Sequence, residues 1–370
     1  MSLTDVVKKA KSQQKKVRLA ESDAPGGIFY KRWPTGLHTL DAAFFGGWPR
    51  ACYCSMYGPP GVGKSAFGFR TIGAIQEMLG KKAVCAYLTL AGEMDRVLAA
   101  VQGVHLDLTK IERKVFKLLT GAAYDRKLIG KLYTQEVADR GGRAEGVLSL
   151  ALELITSGEF QVVVLDEIGA ENPKDWQTGG LRKRAKVGAA AMLLTRFGKE
   201  MVERMSDMAA KGSYETLLLG LSQVRAPVMG PDLEPDYKSA EPYELMHNAG
   251  ARVLLRPGER ESWKIENGTL IYKPVKWKTR KGRHGIIEGI QGEFLISPRT
   301  GIDQVEDLFT AARSLHVIQG GGGGFYTFDI KDEVRVRGGD NAKAALLKPG
   351  TWEQVEAAVR LEISKMLTEE

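Results

Sequence analysis

Short runs of apolar residues alternate along this chain with longer stretches whose apolar positions recur every three or four residues. Ala51 to Tyr57, Ala83 to Thr89, Phe160 to Asp166 and Thr216 to Gln223 are apolar at nearly every position, the pattern of strands buried on both faces. Between the first two, Phe69, Ile72, Ile75 and Met78 mark one face of a helix that begins near Ser65 and stops at Gly80. A longer amphipathic pattern covers Gly188 to Ala210. This alternation predicts an α/β fold with a mostly parallel sheet and helices on both faces. Further along come a short helix (Tyr243 to Asn248), strands at Ala251 to Arg256 and Leu270 to Lys278, and a helix from Val305 to Leu315. An aromatic strand, Phe325 to Phe328, and a closing helix, Trp352 to Leu367, complete the series. At the other end, Thr4 or Asp5 caps a short basic helix, followed by a charged linker that ends in a strand at Ile28 to Tyr30. Two stretches break the pattern. Residues 105 to 150 are charged and irregular, with a surface insertion near Ala122 to Gly142; Val224 to Glu244 carries Pro227, Gly230, Pro231, Pro235 and Pro242.

The turn between the first strand and the first helix carries the chemistry. Gly58-Pro59-Pro60-Gly61-Val62-Gly63-Lys64-Ser65 has the form G-x-x-x-x-G-K-[ST], a phosphate-binding loop. Its strand-before, helix-after setting is the one the motif needs. Glycines let the backbone N–H groups turn inward around phosphates, and the helix N-terminus adds partial positive charge. Lys64 is placed to reach the β- and γ-phosphates of a nucleoside triphosphate, and the Ser65 hydroxyl to ligate Mg²⁺. The apolar run ending in Asp166 reads as Walker B, a buried strand delivering a carboxylate to the Mg²⁺ shell.

Composition adds one thing. Charged residues at 26% and apolar residues at 43% are ordinary, but a formal net charge of +8 points to a polyanionic partner. Arg182-Lys183-Arg184-Ala185-Lys186 concentrates that charge between Walker B and the long helix; a solvated face is the alternative reading. The three cysteines, Cys52, Cys54 and Cys85, fall in predicted core strands and read as small buried hydrophobes. With no apolar signal core and no run of membrane-spanning length, the expectation is a soluble cytoplasmic protein without a membrane partner.

Thr35-Gly36-Leu37-His38-Thr39-Leu40-Asp41, a Gly46-Gly47 turn, a strand and then the phosphate loop resemble the opening of RecA-type recombinases. Ring helicases and clock-protein relatives share this opening, so later residues decide. The strand ending Ser222-Gln223 resembles the family's γ-phosphate sensor, and Val275-Lys276-Trp277-Lys278 resembles its lysine pair, which reaches the neighbouring subunit's ATP. The basic cluster and Val224 to Glu244 occupy the places of the family's two DNA-binding loops, with Arg225 and Met229 in the second. The likeness continues to the closing helix, through a C-terminal domain that ring helicases lack. It implies residues 1–34 as a polymerisation element, 35–300 as a RecA-type P-loop ATPase core and 301–370 as a small C-terminal α/β domain. It implies ATP and Mg²⁺ as cofactors, single- and double-stranded DNA as partners, a helical filament of this chain, and homologous pairing with strand exchange.

One departure stands out. Family members hold the glutamate that polarises the attacking water after the second strand; here that position is Ala91, and Glu93 comes two residues late. Glu167, next to Walker B, is where many motor ATPases keep this base, a solvated strand-end glutamate being the other reading. Asp95 matches the aspartate near the adenine, and Leu98 the place of a stacking aromatic. These departures and the insertion mark a divergent member, of the kind phages encode. A filament-forming DNA-binding scaffold that has lost hydrolysis, and a ring-forming helicase, are the alternatives.

Overall fold

The computed structural model describes residues 31–89, 95–105, 143–168, 189–210, 214–225, 238–266, 269–320, 322–332 and 334–368. In chain order its main elements are α1 (His38–Ala43), β1 (Tyr53–Gly58), α2 (Lys64–Leu79), β2 (Cys85–Thr89), α3 (Arg96–Val101), α4 (Arg143–Ser157) and β3 (Val162–Ile168). There follow α5 (Ala189–Ala210), β4 (Leu217–Arg225), β5 (Lys238–Ser239), α6 (Tyr243–Asn248) and β6 (Ala251–Pro257). The rest comprises β7 (Lys264–Glu266), β8 (Thr269–Gly282), β9 (Gln291–Ser297), β10 (Gly301–Ile302), α7 (Gln304–Ser314), β11 (Ile318–Gly320), β12 (Phe325–Phe328), β13 (Val334–Arg337), α8 (Gly339–Leu346) and α9 (Thr351–Thr368). The chain is a mixed α/β protein. Contacts divide it into two compact units, one running from Pro49 to Arg256, the other joining the residues up to Trp48 with those from Pro257 onward. The sequence-read boundaries after 34 and 300 are of another kind, marking the extent of motifs rather than density of contact.

In the Pro49–Arg256 unit, β6, β1, β4, β3 and β2 lie side by side in that order, every neighbouring pair parallel. All six residues of β1 are buried, as are Val162–Asp166 of β3 and Leu217–Leu221 of β4. That is why these strands read as continuous apolar runs rather than alternating ones. Cys54 and Cys85 lie buried in these strands, while Cys52 is half-buried just before β1. Two glycines let α2 pack closely: a Cβ on Gly68 would meet Leu221 at 2.9 Å and Val164 at 3.2 Å in the sheet, and one on Gly73 would meet the carbonyl oxygen of Gln102, at the end of α3, at 2.6 Å. In one place pairing continues where sequence breakers predict none. Val224 and Arg225 pair antiparallel with Ser239 and Lys238, because these residues lie clear of the breakers and keep the backbone N–H and C=O groups a ladder needs.

In the other unit β8 pairs antiparallel with β9, and β9 with β10. Here the Thr35–Asp41 motif has a structural job. Thr35 N–H donates to Asp41 Oδ1 at 2.7 Å, while Leu37 and Leu40 are fully buried. The open N-terminus of α1 is closed from far along the chain: Asp307 accepts from the N–H groups of His38 (2.5 Å) and Thr39 (3.3 Å) and from the Thr39 hydroxyl (2.6 Å). The His38 ring joins this cluster through Nδ1 to Asp307 Oδ2 (3.1 Å) and Nε2 to Glu356 Oε1 (3.3 Å).

Burial alone would lower the His38 pKa, but the hydrogen bonds to Asp307 and Glu356 overcome it and raise it to about 9. The bond from His38 is also the main reason that Glu356 falls to about 2. A raised histidine stabilises fully below its unfolded pKa of roughly 6.5 and ceases to do so as pH climbs through about 9. The depressed glutamate contributes fully above roughly 4.5 and is lost towards pH 2. The contribution of the His38–Glu356 pair to thermal stability is therefore expected to be flat between about pH 4.5 and 6.5 and to fall from there towards pH 9. His38→Gln should remove most of that alkaline slope; melting curves of both proteins across this range check it.

Candidate nucleotide and cation site

The site is assembled at the carboxyl ends of three neighbouring parallel strands, where α/β sheets bind ligands. Gly58 ends β1 and lies in register with Gln223 of β4; Asp166 of β3 lies beside Leu221 of the same strand. From Gly58 the loop runs through Pro59, Pro60, Gly61, Val62 and Gly63 into α2. Gly61 (φ 70°) and Gly63 (φ 101°) take left-handed conformations open to glycine without strain. Gly58 is required for a different reason: a Cβ there would lie 2.5 Å from the Leu255 carbonyl oxygen. Gly63 stands at the N-cap of α2 and, having no side chain, makes no side-chain cap bond to the first turn of the helix.

Lys64 is 93% withdrawn from solvent, with 7% of its surface exposed, and its Nζ donates to the Gly58 and Pro59 carbonyl oxygens, each at 2.9 Å. Burial lowers its pKa, and the carboxylates of Asp166 and Glu167 work against that. Ser65 Oγ donates to Asp166 Oδ2 at 2.7 Å, bringing together the two residues read as Mg²⁺ ligands. The buried Tyr87 hydroxyl donates to the same Oδ2, and the other oxygen, Oδ1, is buried with no hydrogen-bond partner among the described residues. Burial pushes the Asp166 carboxyl up, opposed by the bonds from Tyr87 and Ser65. An unsatisfied buried carboxylate oxygen beside a serine hydroxyl is a hard-oxygen donor set, which suits Mg²⁺.

Glu167 reaches the site through a backbone irregularity. Successive residues of a regular strand point to opposite faces, so Asp166 and Glu167 would diverge. Instead the β3–β4 register shifts between Asp166 and Ile168, and Glu167 has a φ of 65°. This is a bulge, which re-aims one side chain at the end of a strand. The Glu167 carboxylate accepts from Gln223 Nε2 at 2.9 Å, and its charge is felt at Lys64. The two residues read as water-activating base and γ-phosphate sensor are thus in direct contact.

Other sequence-read residues are placed differently. Asp95 caps α3, its Oδ1 accepting from Leu98 N–H at 2.9 Å, and Leu98 is half-buried. In the other unit Lys276 is exposed and Lys278 half-buried on one face of β8, while Val275, Trp277 and Thr279 are buried on the opposite face. Gly292 makes room for Trp277, whose ring lies 2.4 Å from where a Cβ would be. Lys276 donates to Glu259 Oε1 at 2.8 Å, which holds its ammonium above the usual range, and it faces Glu293 across β9. Arg225 ends β4. Glu93, Arg182, Lys183, Arg184, Lys186 and Met229 lie outside the described residues, as do the N-terminal helix and the 122–142 insertion.

Two features went unread in the sequence. One is Tyr87, indistinguishable there from any strand aromatic. The other is Glu241, fully buried, whose carboxylate accepts from Tyr53 Oη (2.5 Å), Ser55 Oγ (3.2 Å), Ser239 Oγ (2.9 Å) and Arg252 Nη2 (3.0 Å). These bonds fasten the residues after β5 to β1 and β6. Its one signal was an acidic residue before a proline at the end of a breaker-rich stretch.

No protein-family model matches the chain. Known proteins do. The chain is 24% identical over 333 residues to Protein RecA of Lactobacillus acidophilus, covering 88% of this chain and 78% of that one. It is 23% identical over 380 residues to Protein RecA of Ruminococcus albus, covering 99% and 84%. Against Protein RecA of Halalkalibacterium halodurans it is 24% identical over 332 residues, covering 88% and 81%. The likeness is to RecA proteins. At this identity, but over nearly the whole chain, it supports a relationship to the RecA family. The RecA likeness thus takes in the phosphate loop and the lysine strand alike, rather than a nucleotide motif alone. Among the described residues no helix is long and apolar enough to cross a membrane.

Proposed function

We propose that this protein is a RecA-type recombinase with a P-loop ATPase core, which assembles on single-stranded DNA with ATP and promotes homologous pairing and strand exchange with double-stranded DNA. The observation that carries the reading is the meeting of Lys64, Ser65, Asp166, Glu167 and Gln223 at adjoining strand ends, in a chain aligned with RecA proteins over most of its length. On this reading the backbone donors at the start of α2 and the Lys64 ammonium bind the triphosphate. Ser65 and Asp166 hold Mg²⁺, which when bound would draw charge from the phosphate oxygens. Glu167 takes a proton from the attacking water as its oxygen bonds to the γ-phosphorus and the bond to the bridging oxygen breaks, giving ADP and phosphate. Gln223 lies on the same carboxylate, so a γ-phosphate that draws its amide away frees Glu167 for the water. Lys276 and Lys278 act on the ATP of the next subunit in a helical filament, and Arg182, Lys183, Arg184, Lys186, Arg225 and Met229 meet DNA.

The test is ATP turnover with and without single-stranded DNA, paired with negative-stain microscopy. Stimulated turnover and extended ATP-dependent filaments are expected. Replacing Lys276 and Lys278 together by alanine should leave ATP binding intact and remove both. Mixing that variant with Lys64→Ala protein should restore part of the activity at mixed interfaces. ATP-dependent filaments without turnover would favour the scaffold reading, to which Ala91 at the usual glutamate position also points; closed rings would favour a helicase.

A further inference from the structure

The cation site contains a donor that the phosphate-loop reading does not use. Tyr87 lies on β2, its ring 98% shielded and stacked on Phe69 of α2 with centroids 4.3 Å apart and planes at 22°. Its strand neighbour is β3, where Thr89 is in register with Asp166. The tyrosine hydroxyl therefore arrives from the strand beside Asp166, whereas the Ser65 hydroxyl arrives from the phosphate-loop helix. Both donate to one oxygen, Oδ2, and leave Oδ1 as the buried acceptor with no partner among the described residues.

We propose that Tyr87 is a positioning residue of the cation site, fixing the rotation of the Asp166 carboxylate so that Oδ1 is kept for the shell of a divalent cation. The terminal torsion of an aspartate is soft and nearly two-fold. One donor on Oδ2 leaves the group free to swing about that contact. Two donors from different elements hold it in one plane. A buried tyrosine hydroxyl also needs an acceptor for its own sake, so the test has to separate positioning from packing. The proposal rests on the reading of Asp166 as a Mg²⁺ residue.

Tyr87→Phe removes only the hydroxyl and keeps the ring and stack. Binding of a fluorescent, non-hydrolysable ATP analogue is measured in excess chelator and then during a Mg²⁺ titration, with Asp166→Asn and Phe69→Leu alongside. Loss of a group that orients a metal ligand typically weakens metal affinity roughly 10-fold or more. Tyr87→Phe is expected to need roughly 10-fold more Mg²⁺ to reach full nucleotide affinity, with chelator-condition binding unchanged. Phe69→Leu should stay close to the parent. A parent-like Mg²⁺ requirement in Tyr87→Phe, while Asp166→Asn loses it, would overturn the role of Tyr87 alone. Equal weakening by Phe69→Leu would reduce the effect to packing and overturn it too. If Asp166→Asn itself titrates like the parent, the cation-site reading fails and takes this proposal with it.

Discussion

Lys64→Ala is expected to lose ATP-dependent behaviour altogether while still folding. Lys64 Nζ donates to the Gly58 and Pro59 carbonyl oxygens of its own loop. Phosphate binding exchanges these neutral acceptors for charged ones in a largely buried place, where a charge-assisted hydrogen bond contributes about 1.5–3 kcal/mol. Nucleotide affinity should fall roughly 10- to 100-fold, and any step that requires the γ-phosphate should fall further. Titration with a fluorescent ATP analogue reads the first effect, and turnover reads the second. Lys64→Arg is not expected to rescue, because a planar guanidinium does not fit where a point charge reaches two backbone oxygens. Unchanged nucleotide affinity in Lys64→Ala would remove the phosphate-loop assignment.

Glu167→Gln should leave nucleotide binding near the parent and slow turnover roughly 10²- to 10⁴-fold, the usual contribution of a positioned general base. Gln keeps the shape and can still bond to Gln223, so the ATP-bound state should live longer. Glu167→Gly sharpens the test. A left-handed backbone at a residue with a Cβ is unfavourable by about 1–2 kcal/mol, and Glu167 holds that conformation at φ 65°. Glycine relieves it, though it also loosens the unfolded chain. Glu167→Gly is expected to be at least as stable as the parent by thermal melting, yet as slow as Glu167→Gln. Strain kept at a position where its relief abolishes activity marks a functional residue. Parent-like turnover in both variants would shift attention to Glu93.

Much of the site was legible because it depends on local pattern. The phosphate loop needs glycines at fixed offsets, and the strands ending at Asp166 and Gln223 are buried on both faces, so their apolar runs announce themselves. What stayed hidden depends on tertiary contact. The two-residue alternation of a strand sends Glu167 away from Asp166, and only the bulge against β4 reverses that. Tyr87 and Glu241 are defined by partners on other elements, 79 residues away for Tyr87 and 188 for the Tyr53–Glu241 bond. The capping of α3 by Asp95 is a local contact of the same legible kind, an aspartate just before a helix.

The division into units has a bearing on how the chain is made. The Pro49–Arg256 unit is one continuous stretch, whereas the other joins residues from both ends. A ribosome adds roughly 5–20 residues per second, and domains fold as they emerge. Asp307, which closes the open end of α1, lies 269 positions after His38 and so emerges roughly 10–50 s later. Through that interval α1 can still make its local bonds, among them the one from Thr35 N–H to Asp41. The phosphate loop and the carboxylates facing it wait for nothing beyond residue 256, so during translation the nucleotide site comes first and the unit that brackets it in sequence comes last.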